Sequence, residues 1–311
     1  MLVLTQAEVR RLLDLDLLID SLERAFVELS AGRASVPPRT AALVQGRGLL
    51  GAMPGYLDGV LETKLVSVFA DNHAVGLPTH QALIALFDDQ TGSPLAVMDG
   101  TAITAVRTGA ASAVATRALA REDVHVLAVL GAGVQGRSHV DAVTRVRDFS
   151  EIRIASRTRK QAEALAEELG AVVSASFEEA VRDADVVCAC TDAGEPVLRR
   201  EWLTGGAHVT SVGASGEGPE LDRATVQAGL LVVESRVAFE PYPAGAHELQ
   251  GLDPEAAAEL GEVLAGTRDG RTSPKQITVY KSMGHAVEDA SAAGLVYSRA
   301  LELGVGTEVE L

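Results

Sequence analysis

An α/β fold is predicted by three features of the sequence. An apolar run ends in a glycine-rich stretch, strand and helix patterns alternate after it, and β-rich runs with no helix between them precede it. The apolar run is Val124-His125-Val126-Leu127-Ala128-Val129-Leu130, which reads as a buried strand. Gly131-Ala132-Gly133-Val134-Gln135-Gly136 follows, then a helical stretch from about Gln135 to Val146 and a second short strand, Ile152-Arg153-Ile154-Ala155-Ser156. Gly131 lets the chain turn tightly off the strand, Gly133 lets backbone approach a pyrophosphate, and Gly136 lets the helix pack close on the strand. The helix N-terminus then offers free N–H groups and a partial positive charge to phosphates. Alone, such a stretch is an ordinary glycine-rich turn. With a strand before it, a helix after it and a second strand at the right distance, it predicts a Rossmann dinucleotide-binding domain.

In chain order, Thr5-Gln6-Ala7-Glu8 is a capping box that opens a short helix. Leu18, Leu22, Ala25, Phe26 and Leu29 recur at helical spacing, and Gly32 is the stop. From Arg39 to Asp99 short β-rich runs take over: Gly48 to Met53, Thr63 to Phe69, Gln81 to Phe87 and Pro94 to Met98. Pro54-Gly55, Asp71-Asn72 and Thr91-Gly92 divide them, which predicts a mostly antiparallel meander. Ala102 to Arg121 is alanine-rich and helical. Beyond Ser156, helices are predicted over Arg159 to Leu169, Phe177 to Arg182 and Glu255 to Ala265, the last ended by Gly266. Strands are predicted over Val186 to Cys190, His208 to Val212 and Leu230 to Val233. A final helix from about His285 stops at Gly304, and its position suggests that it returns to the first domain.

The chain has 311 residues, enough for two domains with separate cores. A net charge of −16 argues against nucleic acid and anionic membrane as partners. Anionic ligands must therefore be caught by locally placed basic groups and helix ends. No stretch approaches the run of about 20 apolar residues that spans a bilayer. Met1-Leu2-Val3-Leu4-Thr5-Gln6 has no basic region ahead of an apolar one, so no signal peptide is expected. Cys188 and Cys190 lie two apart in a strand, where packing is expected instead of a disulfide. A reducing cytoplasm fits. The seven histidines are scattered, and no metal site is expected.

Basic residues stand among apolar ones at Arg39, after Pro37-Pro38; at Lys64, within Glu62-Thr63-Lys64-Leu65-Val66; and at Arg107, within Val106-Arg107-Thr108. A buried lysine is costly unless its charge has a partner. From the residues alone, each of the three points outward or pairs with Asp or Glu.

More of the sequence bears on these residues. Pro37-Pro38-Arg39, Met53-Pro54-Gly55-Tyr56, Thr63-Lys64-Leu65-Val66-Ser67 and Leu77-Pro78-Thr79-His80-Gln81 are followed by Leu86-Phe87-Asp88, Val97-Met98-Asp99-Gly100 and Arg107-Thr108-Gly109-Ala110-Ala111-Ser112. The glycine-rich loop, Val212-Gly213-Ala214-Ser215, Glu220-Leu221-Asp222, Lys281-Ser282-Met283-Gly284 and Glu288-Asp289 complete the series. In order and spacing these blocks resemble the ornithine cyclodeaminase/mu-crystallin family. The resemblance runs through most of the chain.

The resemblance implies a Rossmann NAD(P)-binding domain, residues 121–284, inserted into an α+β substrate-binding and dimerisation domain made of residues 1–120 and 285–311. It implies a homodimer that processes amino acids or their cyclic imines with a nicotinamide cofactor. Arg39 and Arg107 would hold the substrate carboxylate, which suits the fork of a guanidinium. Lys64 would be catalytic, beside that carboxylate and the reacting nitrogen. Two arginines and burial should depress its pKa and poise it for proton transfer near neutral pH. His80, with Gln81, and Ser215 would line the same pocket. Around the cofactor the resemblance implies Thr108, Gly131, Gly133, Val134, Gln135, Gly136, Ser156, Arg157, Thr158, Thr191, Val212 and Met283.

NAD-preferring sites usually end the second strand with an acid that binds the ribose 2′-OH. Here Ser156 leads into Arg157-Thr158-Arg159, and Arg157 can stack on adenine and pair with a 2′-phosphate. NADPH is expected to be preferred, with NADH possible. Cyclodeaminases of the family carry an aspartate where Ser215 stands and a glutamate near Gly51-Ala52. Both groups serve the deaminating chemistry. The expected activity is therefore NADPH-dependent reduction of imines of 2-oxo acids, chiefly pyrroline-2-carboxylate or piperideine-2-carboxylate to proline or pipecolate. Glu217 is the residue able to replace the missing carboxylate, which keeps ornithine cyclodeaminase as an alternative. An amino-acid dehydrogenase and an NADPH-controlled binding protein with little turnover are the others.

Overall fold

The computed structural model describes residues 1–213 and 218–310. Two compact units are formed, one of Met1–Arg107 with His285–Leu311 and one of Thr108–Gly284.

The first unit starts with strand β1 (Leu2–Leu4) and helix α1 (Gln6–Leu12). The Thr5 hydroxyl accepts from the Glu8 amide while Glu8 takes the Thr5 amide, so the capping box is made. Helix α2 (Leu15–Ser30) is capped by Asp14 and buries Leu18, Leu22, Ala25 and Phe26, the residues whose spacing predicts it. Gly32, at φ 69°, ends it. Strands β2 (Thr40–Val44), β3 (Gly48–Leu57), β4 (Val60–Val68), β5 (His80–Phe87) and β6 (Pro94–Asp99) then form the antiparallel meander.

Pro54-Gly55 does not divide two strands as expected; β3 runs through it to Leu57. Tyr56 exchanges backbone hydrogen bonds with Ser35, whereas β2 begins at the Thr40–Ala52 pair. Pro54 faces the same edge as Tyr56, in the interval between those two pairings, so its missing N–H breaks no ladder bond. The turn falls instead at Asp58 and Gly59, both at positive φ (46° and 84°), between the paired Leu57 and Val60. This is the two-residue hairpin that Asp-Gly favours.

Helix α3 (Gly100–Leu119) starts earlier than expected, because Asp99 Oδ1 accepts the Ala102 amide at 2.7 Å, and it also stops earlier. The division between the units falls within it.

The second unit alternates strand and helix: β7 (Val126–Leu130), α4 (Val134–Val143), β8 (Glu151–Ala155), α5 (Arg159–Leu169), β9 (Val172–Val173), α6 (Phe177–Val181) and β10 (Val186–Ala189). Strand β11 (His208–Ser211), α7 (Arg223–Val226), β12 (Leu230–Val233), β13 (Ala258–Glu259), α8 (Leu260–Leu264) and β14 (Thr278–Lys281) follow. The helix expected over Glu255 to Ala265 is broken. Pro254–Ala256 is a single 3₁₀ turn, and Ala258 and Glu259 pair with Val232 and Val233 on β12, leaving only α8. Pairing at the sheet edge outweighs helix propensity there. Cys188 and Cys190 are free thiols on one side of the sheet, packed with Val129 and Ile154.

All eight strands of this sheet are parallel, in the order β13-β12-β14-β11-β10-β7-β8-β9. From β7 the chain winds outward through β8 to β9, then restarts at β10 on the other side. The switch point lies between β7 and β10, at whose carboxyl ends open α/β sheets bind ligands. The chain then returns to the first unit as α9 (Ala286–Leu303), ended by Gly304 at φ 62°, and β15 (Thr307–Glu308). Strand β1 sits between β15 and β6 in a sheet of order β15-β1-β6-β5-β4-β3-β2.

Candidate functional site

In the first unit, the register of the sheet sets Leu4, Met98, Ile84, Lys64 and Met53 in one row. All five are buried, so Lys64 is the one ionisable group in a row of apolar side chains. It is 1% exposed. The charge is met by α9, whose Asp289 places Oδ2 2.7 Å from Lys64 Nζ. Arg107, on α3, puts Nε 3.1 Å from Asp289 Oδ1 and Nη1 2.9 Å from Glu288 Oε2. Glu288 and Asp289 are fully buried, and their pairing with two cations offsets what would otherwise be a prohibitive desolvation.

These contacts set the proton affinities. Burial, the Arg107 charge and, more weakly, Arg39 push Lys64 down to about 8, against the pull of Asp289. Burial would raise the Asp289 carboxyl, but Lys64 and Arg107 together hold it below the usual range. A lysine in this state exchanges its proton near neutral pH, as a general acid or base must. Arg39 is half-buried ahead of β2. In the sequence Glu288 and Asp289 stand out only as one block of the family resemblance, with no role attached to them.

His80 is not brought to the cluster. It opens β5 opposite Val68, is exposed, and its Nδ1 lies 3.3 Å from Thr79 Oγ1. Gln81 beside it is exposed too. Ser215 and Glu217 lie outside the described residues.

In the second unit the glycine-rich loop leaves the carboxyl end of β7. Gly131 has φ 110°, and a Cβ there would stand 2.6 Å from the Cys190 carbonyl oxygen. One on Gly136 would stand 2.1 Å from the Gly131 oxygen, so only glycine lets α4 pack this close. Gly133 differs: a Cβ there meets nothing within 4 Å among the described residues. It is the N-cap of α4 with no side-chain cap, and Val134 is exposed. The N-terminus of a ten-residue helix is thus open to close approach at Gly133, which fits a dinucleotide pyrophosphate. Gln135 accepts from His139 Nδ1 at 2.7 Å. Burial holds His139 neutral, down to about 4, so Nε2 accepts from the Ser112 hydroxyl at 2.9 Å. After β8, Ser156 is half-buried and accepts the Thr158 amide, while Arg157 and Thr158 are exposed. Thr108 is buried on α3.

Three buried carboxyls, those of Glu220, Glu248 and Glu234, organise the ends of the neighbouring strands, and none of them has a role in the expectations above. Glu220 Oε1 accepts from the Thr191 amide at 2.6 Å and its hydroxyl at 2.7 Å. Its Oε2 accepts from the Ser211 hydroxyl at 2.7 Å and the Gly213 amide at 2.8 Å. Thr191 is thereby held beside Gly131, whose Cβ position is 3.3 Å from Thr191 Cγ2. Glu248 lies 3.0 Å from Lys281 Nζ, which donates to the Gly213 carbonyl at 2.6 Å. Glu234 takes the Met283 amide at 2.8 Å and the Ser282 hydroxyl at 2.5 Å. Val212 donates its amide to Ala189 at 3.1 Å.

Comparison with known proteins agrees with this architecture. Residues 1–304 match the model of the ornithine cyclodeaminase/mu-crystallin family. Ketimine reductase mu-crystallin of Mus musculus is 44% identical over 290 residues, covering 90% of this chain and 91% of that protein. The structure of Thermococcus litoralis Δ1-pyrroline-2-carboxylate reductase in complex with NADH and L-proline superposes with a TM-score of 0.93 at 39% identity, covering 99% of this chain and 100% of that one. An archaeal alanine dehydrogenase dimer with bound NAD superposes with a TM-score of 0.90 at 34% identity, covering 100% and 99%. A Rossmann-type parallel sheet, an antiparallel meander completed by the last helix, and a match over nearly the whole length lead to one assignment: the chain belongs to the ornithine cyclodeaminase/mu-crystallin family.

Proposed function

We propose that this protein is a nicotinamide-dependent oxidoreductase that reduces imines of 2-oxo acids, with the cyclic ketimines pyrroline-2-carboxylate and piperideine-2-carboxylate as leading substrates. The observation that carries the reading is Lys64, buried, paired to Asp289 and lowered to about 8. The named activities of the relatives, ketimine reductase and pyrroline-2-carboxylate reductase, support it. In this reading the unit Thr108–Gly284 holds the dinucleotide and the other unit holds the substrate. Bound nicotinamide would supply the hydride. Arg39 and Arg107 hold the carboxylate, and Lys64 gives its proton to the substrate nitrogen. Asp289 and Glu288 fix the two cations in place, so orientation is set before substrate arrives.

NADPH is the preferred reductant in this proposal, because no acid follows β8 to repel a 2′-phosphate and the exposed Arg157 can pair with it. The test is nicotinamide absorbance with either cyclic imine. NADPH is expected to exceed NADH in kcat/KM by roughly tenfold, about what one charge-assisted contact contributes. Arg157→Ala should bring the two together. Equal values in the wild type would remove the cofactor preference. Proline and ammonia released from L-ornithine faster than imine is reduced would replace the reductase by a cyclodeaminase.

The same reading includes a homodimer. The sheet face turned away from Lys64 exposes Val44, Leu50 and Leu83, an apolar surface of the kind that oligomers cover. The structural relative solved as a dimer supports this. Light scattering is expected to show twice the monomer mass at micromolar concentration, and Leu50→Glu with Leu83→Lys should halve it. A monomeric wild type would refute the proposal.

A further inference from the structure

Glu62 is a buried carboxyl that the scheme above leaves unused. It lies on β4 two residues before Lys64, hence on the same face of the sheet, and is 2% exposed. Neither of its carboxyl oxygens has a hydrogen-bond partner among the described residues. Its cross-strand neighbours are Gly55 and Leu86. A Cβ on Gly55 would stand 3.0 Å from both Glu62 Oε1 and the Ala286 methyl, so the carboxyl is enclosed on that side by backbone and apolar groups.

The charged groups that act on it come from three elements: Lys64 on its own strand, Arg107 on α3 and Asp289 on α9, with Glu288 next to Asp289. Arg39, ahead of β2, acts on Lys64. Lys64 and Arg107 pull the Glu62 carboxyl down, but both are paired to Asp289 and Glu288 and neither donates to a Glu62 oxygen. A third carboxylate without a hydrogen-bond donor would be an unpaired buried anion. Burial first, and the Asp289 charge second, push the Glu62 carboxyl up to about 9.

We propose that Glu62 stands as a neutral carboxylic acid in the resting protein and is the proton reserve that recharges Lys64 after each turnover. The proposal rests on Lys64 as the proton donor of imine reduction. Lys64 passes one N–H proton to the substrate nitrogen as the C=N bond becomes single and hydride adds to carbon. With the two side chains brought to hydrogen-bond distance during turnover, the neutral amine takes the O–H proton of Glu62, leaving a carboxylate, and solvent admitted as product leaves returns that proton. One proton and one hydride enter for each C=N bond reduced. Burial moves the two affinities toward each other, Glu62 up and Lys64 down, which lessens the bias of transfer between them.

Glu62→Gln keeps the shape of the side chain and removes its acid. The infrared difference between wild type and Glu62→Gln at pH 7 should show the carbonyl band of a protonated carboxyl. The band should give way to a carboxylate only as pH rises through about 9. With a cyclic ketimine, Glu62→Gln should lower kcat roughly tenfold and leave KM within about twofold, as loss of a proton-transfer group predicts. The solvent deuterium isotope effect on kcat should grow. Glu62→Asp, which keeps the acid, should retain the band and more of the turnover. An ionised Glu62 at pH 7, or a Glu62→Gln variant with wild-type kcat and isotope effect, overturns the relay alone. Absence of any wild-type turnover of imines overturns the reductase reading and the relay with it, and leaves the infrared result standing.

Discussion

Lys64→Met is expected to lower kcat for imine reduction by at least about 10²-fold, the lower range for loss of a general acid. Dinucleotide affinity should hold within about twofold, because the dinucleotide is assigned to the other unit. The wild-type pH profile should show the same group. Lys64 is lowered to about 8, so it carries its proton below that pH and loses it above. Reduction needs the protonated form, and its rate should fall as pH rises through about 8. Oxidation of an amino acid needs the neutral amine, and its rate should rise through the same pH. Methionine keeps much of the lysine volume and leaves Asp289 with Arg107 as its remaining cation. A Lys64→Met enzyme with wild-type turnover would make the residue a structural counter-ion and nothing more.

Glu220→Leu is expected to remove on the order of 4 kcal/mol of stability, because it strands several buried donors at about 1–3 kcal/mol each. Those donors are the Thr191 amide and hydroxyl, the Ser211 hydroxyl and the Gly213 amide, each within 2.8 Å of a Glu220 oxygen. They sit at the carboxyl ends of β10 and β11, beside the switch point, so dinucleotide affinity should fall by about tenfold or more as Thr191 loses its place. Urea unfolding reads the first effect and nicotinamide fluorescence titration the second. Unchanged stability would mean that water serves these donors as well as the carboxyl does. Glu220→Gln should lie between the two proteins, since its amide keeps one acceptor and turns two donors against the ring of N–H and O–H groups.

The parts of this fold that the sequence disclosed are those set by local periodicity. Helix α2 follows from Leu18, Leu22, Ala25 and Phe26 at helical spacing, and β7 with α4 follows from an apolar run and three glycines. What it hid depends on distant partners. Strand β1 is three residues long and gains its identity from Ala96 to Met98 and from Thr307 and Glu308. The helical pattern of Glu255 to Ala265 yields to pairing with β12, which no local window contains. Lys64, Arg39 and Arg107 stand out in sequence as basic residues in apolar surroundings. The acidic partners of Lys64 and Arg107 do not, because Arg107 and Asp289 are 182 positions apart. The carboxyls Glu62, Glu220 and Glu234 carry no local sign of burial, being ordinary glutamates in sequence. Their enclosure is produced by neighbouring strands and helix ends, as the close approach of Gly213 to Glu220 shows.

The return of α9 to the first unit bears on how the polypeptide is made. Synthesis delivers Lys64 and Arg107 first, and the chain reaches Glu288 and Asp289 only after the whole of Thr108–Gly284. Until α9 emerges, burying the two cations would leave them unpaired, at a cost of about 3–5 kcal/mol for each broken pair. The nascent meander must therefore stay open and hydrated while the parallel sheet, contiguous in sequence, is free to close on its own. Ribosome stalling before Ala286 would leave a folded second unit tethered to an unclosed first one, a species that chaperones and proteases can tell from the finished protein.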